Sequence, residues 1–348
     1  MRPLAMLVCG CGLALAVPPA RAQTWRTTNG DHVQGSLSGV FGSVAVIARR
    51  GDSTLLPLDQ LDDAALARVA DYLAASPRAA QTWADSDGKV ARSLRGRLQI
   101  MQEGGLAAFD PGARPEPRIY LVYFGAHWCR PCREFSPHLV EAYRRLQQLA
   151  PDRFELVFVS CDHEAKEQEL YVREVGMPWP VLKFSDVGSA GPVERWEGTA
   201  IPDLIVVTRS GDLLFDSFHG NDYVGPGFVL DEVESLLGSM DEKSEATRRA
   251  RHRLSVLQHV RSAGSTAVNP MPYLITLDPS HYQTLEVRHL KALLEIDERG
   301  RVTDAKIEPS LPTALDFQLT QEAGTWLFLP AVAGGRPKSA HVILPISL

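Results

Sequence analysis

Two cysteines three positions apart, at Trp128-Cys129-Arg130-Pro131-Cys132, stand where an apolar run gives way to helical periodicity. Disulfide chemistry needs a thiolate as the attacking species. A helix N-terminus, with its partial positive charge, stabilises such an anion. Spacing of three on a first helical turn lets Cys132 reach back to Cys129 and expel a partner bonded to it. Pro131 suits that turn, because its missing N–H would have no helical partner there. Arg130 places a cation beside the thiol and is expected to lower its pKa further. Cys129 therefore reads as the nucleophile and Cys132 as the resolving thiol. A zinc site would need four ligands, and no second C-x-x-C or H-x-H lies nearby; His127 and His138 are poor substitutes. A purely structural disulfide closing so short a loop would constrain little.

The surrounding pattern supplies the elements that must hold this turn. Residues 118–124 (RIYLVYF) and 154–160 (FELVFVS) are near-continuous apolar runs, as expected of strands buried on both faces. Leu139, Tyr143, Leu146 and Leu149 mark a helix between them. A polar helical stretch over 163–174, strands over 203–208 and 212–217 joined at Ser210-Gly211, and a helix over 226–237 follow. Strand–helix–strand–helix, then hairpin and helix, predicts an α/β unit with a mixed sheet.

The whole chain has 348 residues, a formal net charge of −6 and 45% hydrophobic residues, so it is multidomain and globular rather than disordered. No sustained basic patch exists, which argues against nucleic acid as a partner. No run of roughly 18 apolar residues exists, which argues against a multipass membrane protein. Residues 1–22 carry Arg2, an apolar stretch over 4–17 and Ala20-Arg21-Ala22, the pattern of a cleaved secretory signal peptide. Cleavage there leaves Cys129, Cys132 and Cys161 of the five cysteines, one pair and one odd thiol entering an oxidising compartment.

Residues 23–75 read as short strands broken at Asn29-Gly30 and Arg50-Gly51-Asp52, then a helix beginning after Asp62. Residues 76–117 are mixed and poorly periodic, a connector with lead-in strands. Residues 239–272 read as a charged, solvated helical connector and linker. In 273–348 strands are expected over 287–296, 301–308 and 338–347, with a helix over 313–323.

The segment YFGAHWCRPCREFSP (123–137) resembles the thioredoxin superfamily, and within it the tryparedoxin and nucleoredoxin branch; Met177-Pro178-Trp179 is similar to that branch's own signature. The resemblance covers 118–238. It implies a thioredoxin fold and thiol–disulfide oxidoreductase activity, with the Cys129–Cys132 disulfide as the redox centre and no further cofactor or metal. Trp128, Arg130 and Pro131 would support it. Ala200-Ile201-Pro202 matches the loop whose proline is cis in the family and which would offer backbone to a substrate peptide. Thioredoxin itself has a buried aspartate where this chain has Tyr123, so the proton acceptor for Cys132 is open; Asp162, Glu164 and Asp203 are candidates. Asp203 stands where threonine is usual. Cys161, at the carboxyl end of the second strand, is a candidate for a third redox role, against the plainer reading of a small buried side chain.

Two flanking resemblances complete the expectation. Trp25-Arg26-Thr27, Asn29-Gly30, Gly51-Asp52 and Leu56-Pro57-Leu58 resemble a small all-β SH3-like barrel, of the type first described in a yeast endocytic adaptor. Leu294-Glu295-Ile296-Asp297, Gly300-Arg301-Val302, Trp326-Leu327-Phe328-Leu329-Pro330 and Val342-Ile343-Leu344-Pro345-Ile346 resemble the α+β C-terminal domain of TonB. That implies a protein-binding module and a periplasmic setting. The expected partners are disulfide-containing protein substrates, a recycling redox partner, and envelope proteins or peptides at the terminal domains. The competing expectation is a periplasmic adaptor whose thioredoxin-like unit is only a scaffold.

Overall fold

A computed structural model describes residues 23–49, 52–75, 82–241, 244–282 and 289–347. The expected signal peptide and the Arg50-Gly51 turn lie outside the described residues. Four strands, β1 (Gln23–Arg26), β2 (His32–Phe41), β3 (Val44–Arg49) and β4 (Asp52–Pro57), form an antiparallel meander in chain order. Asp62 opens α1 (Asp63–Ala75) by accepting the Ala65 N–H at 2.7 Å. Trp25, Ile47, Leu58, Leu66 and Val69 are buried between sheet and helix.

The segment read as a connector with lead-in strands supplies strands β5 (Leu98–Gln102) and β6 (Gly105–Ala108) and, beyond that reading, helix α2 (Lys89–Leu94). They join β7 (Ile119–Gly125), α3 (Arg130–Leu149), β8 (Phe154–Ser160), α4 (Ala165–Val175), β9 (Val181–Leu182), β10 (Asp203–Thr208) and β11 (Leu213–Asp216). After a small hairpin of β12 (Phe218–His219) and β13 (Asp222–Tyr223) comes α5 (Pro226–Ser239). The resulting sheet has the order β11-β10-β7-β8-β9-β5-β6, with β7, β8 and β9 parallel and the other pairs antiparallel. Every residue of β7 and β8 is buried, as near-continuous apolar runs require, and the one carboxylate among them, Glu155, accepts the Tyr143 hydroxyl at 2.7 Å. Leu121, Tyr123, Phe158, Leu204 and Val206 meet α3, α4 and α5 on one face. Val122, Phe124, Ile205 and Val207 meet α2 and Trp83 on the other. The central fold is thus α/β with a mixed sheet, and α2 covers one of its faces.

The charged stretch over 239–261 is not a solvated connector. Its helix α6 (Glu245–Ala263) buries Ala250 and Leu254, one turn apart, in the N-terminal core. Arg253 donates to the carbonyls of Leu58 at 3.1 Å, Asp59 at 2.9 Å and Leu61 at 3.0 Å, satisfying a chain that has left its sheet. On its far side the buried His252 Nε2 lies 2.7 Å from the Phe328 carbonyl oxygen. The arginines around Ala250 and Leu254 mask the helical periodicity here.

The C-terminal unit holds β14 (Met271–Leu274), β15 (His289–Ile296), β16 (Val302–Glu308), α7 (Thr313–Gly324), β17 (Leu327–Leu329), β18 (Ala331–Ala333), β19 (Arg336–Lys338) and β20 (Ala340–Ser347). Its main sheet is antiparallel, β16-β15-β20, and Trp326 and Phe328 are buried with Leu319 of α7. Among the described residues no helix is long and apolar enough to cross a membrane.

Candidate active site at the Cys129–Cys132 turn

Strand β7 ends at Gly125, and the chain turns through the Cys129 N–H, which donates to the Ala126 carbonyl at 3.1 Å. Cys129 is the N-cap of α3, and its Sγ accepts the Cys132 N–H at 3.1 Å. This is the position where the helix end stabilises a sulfur anion. The two cysteines are joined in a disulfide with Cα atoms 5.3 Å apart. Cys129 is 4% exposed and Cys132 fully buried, so an incoming group meets Cys129 first.

The Ile201–Pro202 peptide is cis, and the Ile201 carbonyl oxygen lies 3.8 Å from the Cys129 Sγ. A disulfide sulfur has no proton to donate, so this is a contact in the oxidised form; the reduced thiol has an acceptor waiting. Trp128 is 52% exposed, with its ring 5.9 Å from His163 and its Nε1 donating to the Cys161 carbonyl at 3.3 Å. Cys129, Cys132, Trp128, Ile201 and Pro202 are therefore brought together, with Pro131 inside the first turn of α3.

Arg130 takes a different role from the expected one. Its Nε donates to Glu134 Oε1 at 2.9 Å, one helical turn on, and its side chain is 83% exposed. A cation paired and solvated in this way has little field left for the sulfur. Arg130→Ala is accordingly expected to move the Cys129 thiol pKa by less than about half a unit, measured by pH-dependent alkylation of the reduced protein. A rise of a full unit would restore the direct role.

The carboxylates divide by place. Asp162 accepts the His127 N–H at 2.7 Å and the Ser160 hydroxyl at 2.7 Å, pinning the loop before Cys129 to the end of β8; burial raises its carboxyl above the ordinary range. Glu164 is exposed just before α4. Asp203 is fully buried, and its Oδ2 accepts the Gly198 N–H at 2.9 Å while Oδ1 has no partner. Strand alternation puts Asp203 with Ile205 and Val207, on the face opposite Tyr123 and the cysteines. It does not face Cys132, and its candidacy as proton acceptor falls on that geometry.

Burial, more than any neighbouring charge, pushes Asp203 up to about 6. Because the unfolded value is about 3.9, the folded chain holds this proton more tightly. Stability is therefore lost as pH climbs from about 4 to about 6, and the loss persists above that. Asp203→Asn is expected to gain on the wild type by roughly 2 kcal/mol between pH 4 and pH 8, read from denaturant melts at both ends. A pH-independent difference would contradict it.

Cys161 is a free, half-buried thiol beside the site, its N–H donating to the Gly125 carbonyl at 2.8 Å. Burial, with help from Glu197, Asp162 and Asp203, pushes it up to about 12, so it stays protonated at neutral pH and is a poor nucleophile. Beneath Cys132 lies a cluster the sequence did not announce. The Tyr123 hydroxyl is 2.8 Å from Ser136 Oγ, which is 2.6 Å from the Tyr171 hydroxyl, and Tyr123 donates to the Cys132 carbonyl at 3.5 Å. Burial holds Tyr123 far above its ordinary pKa, so the cluster is neutral and orients the helix turn. Ser136, one turn after Cys132, was the available signal; Tyr171 had none. Among the described residues no group of three or more His, Cys, Asp or Glu side chains is arranged to hold a metal ion.

With this geometry in place, the comparisons bear on the central unit. Residues 117–213 match a family model described as thioredoxin-like. The central region is a thioredoxin-like domain. Over 94 residues the chain is 37% identical to probable nucleoredoxin 1 of Arabidopsis thaliana and 38% identical to nucleoredoxin of Bos taurus. These alignments cover 27% of this chain but only 16% and 21% of the relatives, so the likeness is between domains. Among solved structures, thioredoxin from Wuchereria bancrofti is 27% identical with a TM-score of 0.31, covering 40% of this chain and 94% of that one. Tryparedoxin I from Leishmania major is 28% identical with a TM-score of 0.30, covering 37% and 85%. The thioredoxin-like domain thus carries the cysteine turn, the cis-proline loop and the hydroxyl cluster in one unit.

Proposed function

We propose that this chain is an exported thiol–disulfide oxidoreductase acting on protein disulfides. The observation that carries the reading is the placement of Cys129, at once N-cap of α3, disulfide partner of Cys132 and neighbour of the cis Ile201–Pro202 peptide. In the reduced protein the Cys129 thiolate attacks one sulfur of a substrate disulfide. A mixed disulfide forms, and the other substrate sulfur leaves as a thiolate that takes up a proton. Cys132, deprotonated, then attacks Cys129 Sγ and releases the second substrate thiol. The pair ends oxidised, the substrate has gained two electrons and two protons, and an external dithiol donor restores the pair.

The flanking units would present partners. The four-stranded meander with α1 supports the SH3-like reading. The β16-β15-β20 sheet with α7 supports the TonB-like reading, in which a partner strand adds to a sheet edge. Export rests on the 1–22 pattern, and a periplasmic location fits that pattern.

The test is to express the whole chain in a bacterium, recover the periplasmic fraction and read the first residue, expected to be Gln23. The purified protein is then assayed for reduction of insulin disulfides with dithiothreitol as donor, with Cys129→Ser beside it. Equal rates for the two proteins would leave the scaffold reading standing in place of the enzyme.

A further inference from the structure

The cis-proline loop is held from a side the exchange chemistry does not use. Hairpin β12–β13 reverses at Gly220, whose φ of +64° is open to glycine without strain. The Tyr223 hydroxyl, on β13, donates to the Pro202 carbonyl at 2.6 Å. Phe218, on β12, has its ring 5.1 Å from that of Tyr223 and covers Gly198, where a Cβ would meet it at 2.2 Å. The hairpin base is closed by the Val224 and Gly225 N–H groups, donating to the Ser217 carbonyl at 2.8 and 3.1 Å. Ser217 Oγ in turn accepts the Leu204 N–H at 2.8 Å. Hairpin and loop 198–204 are thus laced together along their length.

Two features make this more than a structural tie. Among the described residues, neither the N–H nor the C=O of Ile201 has a backbone partner, which leaves one peptide edge ready to pair with an incoming strand. Tyr223 is also 45% exposed, an aromatic side chain anchored by its hydroxyl with its ring open to solvent, as Trp128 is on the disulfide side. The 201–202 segment therefore runs between the Cys129 sulfur and the Tyr223 phenol.

Resting on the oxidoreductase reading, we propose that Tyr223 is a positioning residue for polypeptide disulfides. Its hydroxyl fixes the Ile201–Pro202 segment at the height where substrate backbone pairs, and its ring supplies an apolar wall for the residues flanking the substrate cysteine. A small disulfide needs only access to the sulfur and makes no use of this wall.

Tyr223→Phe keeps the ring and removes the hydroxyl, so the fold should hold; an unchanged melting temperature checks that. Its KM for insulin is expected to rise about three- to tenfold, with kcat and the rate on the small aryl disulfide 5,5′-dithiobis(2-nitrobenzoate) each within about twofold of wild type. A loss shared equally by both substrates, or no loss on either, overturns the assignment of Tyr223 alone. Wild type no faster than Cys129→Ser on either substrate overturns the oxidoreductase reading and this assignment with it.

Discussion

Cys129→Ser is expected to lower disulfide exchange by at least about a thousandfold, because an alcohol at the helix terminus is not ionised near neutral pH and an alkoxide–sulfur bond does not replace a disulfide. Cys132→Ser should behave differently. Its Cys129 thiolate still attacks, but the resolving sulfur is gone and burial keeps the nearby Cys161 thiol protonated, so a covalent adduct with the substrate accumulates and is released by dithiothreitol. The asymmetry follows from burial, since Cys132 is fully buried while Cys129 is 4% exposed and faces the Ile201 loop. Non-reducing electrophoresis and mass measurement after mixing with insulin read both variants. Adducts formed equally by the two variants would show that either sulfur can start the reaction, and the assignment of roles would fail.

Gly42→Ala carries the second large effect, and it lies far from the sulfurs in sequence. Gly42 has φ +56°, and a Cβ there would sit 1.8 Å from the Ser239 carbonyl oxygen at the end of α5. The β2–β3 turn is docked on that helix end by the Ser43 N–H to the Ser239 carbonyl at 3.1 Å and by Ser239 Oγ to the Phe41 carbonyl at 3.3 Å. Phe41 and Val46 reach from the N-terminal sheet into the central core. An added methyl forces turn and helix apart, so both bonds and part of the Phe41 packing are lost, a cost of roughly 3 kcal/mol. Amide exchange across β1–β4 should accelerate by about a hundredfold, with exchange in β7 and β8 less affected. Unchanged protection in the N-terminal strands would mean that the turn does not hold the units together.

Much of the site was legible because its geometry is local. Spacing of three, a proline in the first turn and an apolar strand immediately before are properties of contiguous residues, and α3 begins where they place it. The same holds for Asp62 at the start of α1 and for the near-continuous apolar runs of β7 and β8. Arg130 shows the limit of reading neighbours by charge. Its proximity to Cys129 along the chain suggested an electrostatic role, but an exposed carboxylate one turn away takes its guanidinium.

Asp203 and Tyr223 mark where sequence reasoning stopped. Asp203 is next to Pro202 in the chain, yet strand alternation turns its carboxylate to the opposite face of the sheet. Tyr223 is 21 residues from Pro202 and bonds to its carbonyl, with no pattern in the intervening chain to announce the contact. The docking of the 82–117 strands and of α6 is invisible in the sequence for a related reason. Short strands β5 and β6 and the two buried apolar residues of α6, Ala250 and Leu254, give weak periodic signals, and their burial depends on partners contributed from elsewhere.

What the amino-acid sequence determined unaided was the reactive centre and its immediate frame, since helix polarity and the reach between neighbouring turns follow from backbone geometry alone. Which face a carboxylate looks to, which hydroxyls gather beneath the Cys132 turn, and which hairpin grips the cis-proline loop were decided only by tertiary structure. Those choices depend on strand order and helix docking between residues distant in the chain, where many pairings satisfy the local preferences and only mutual packing selects one.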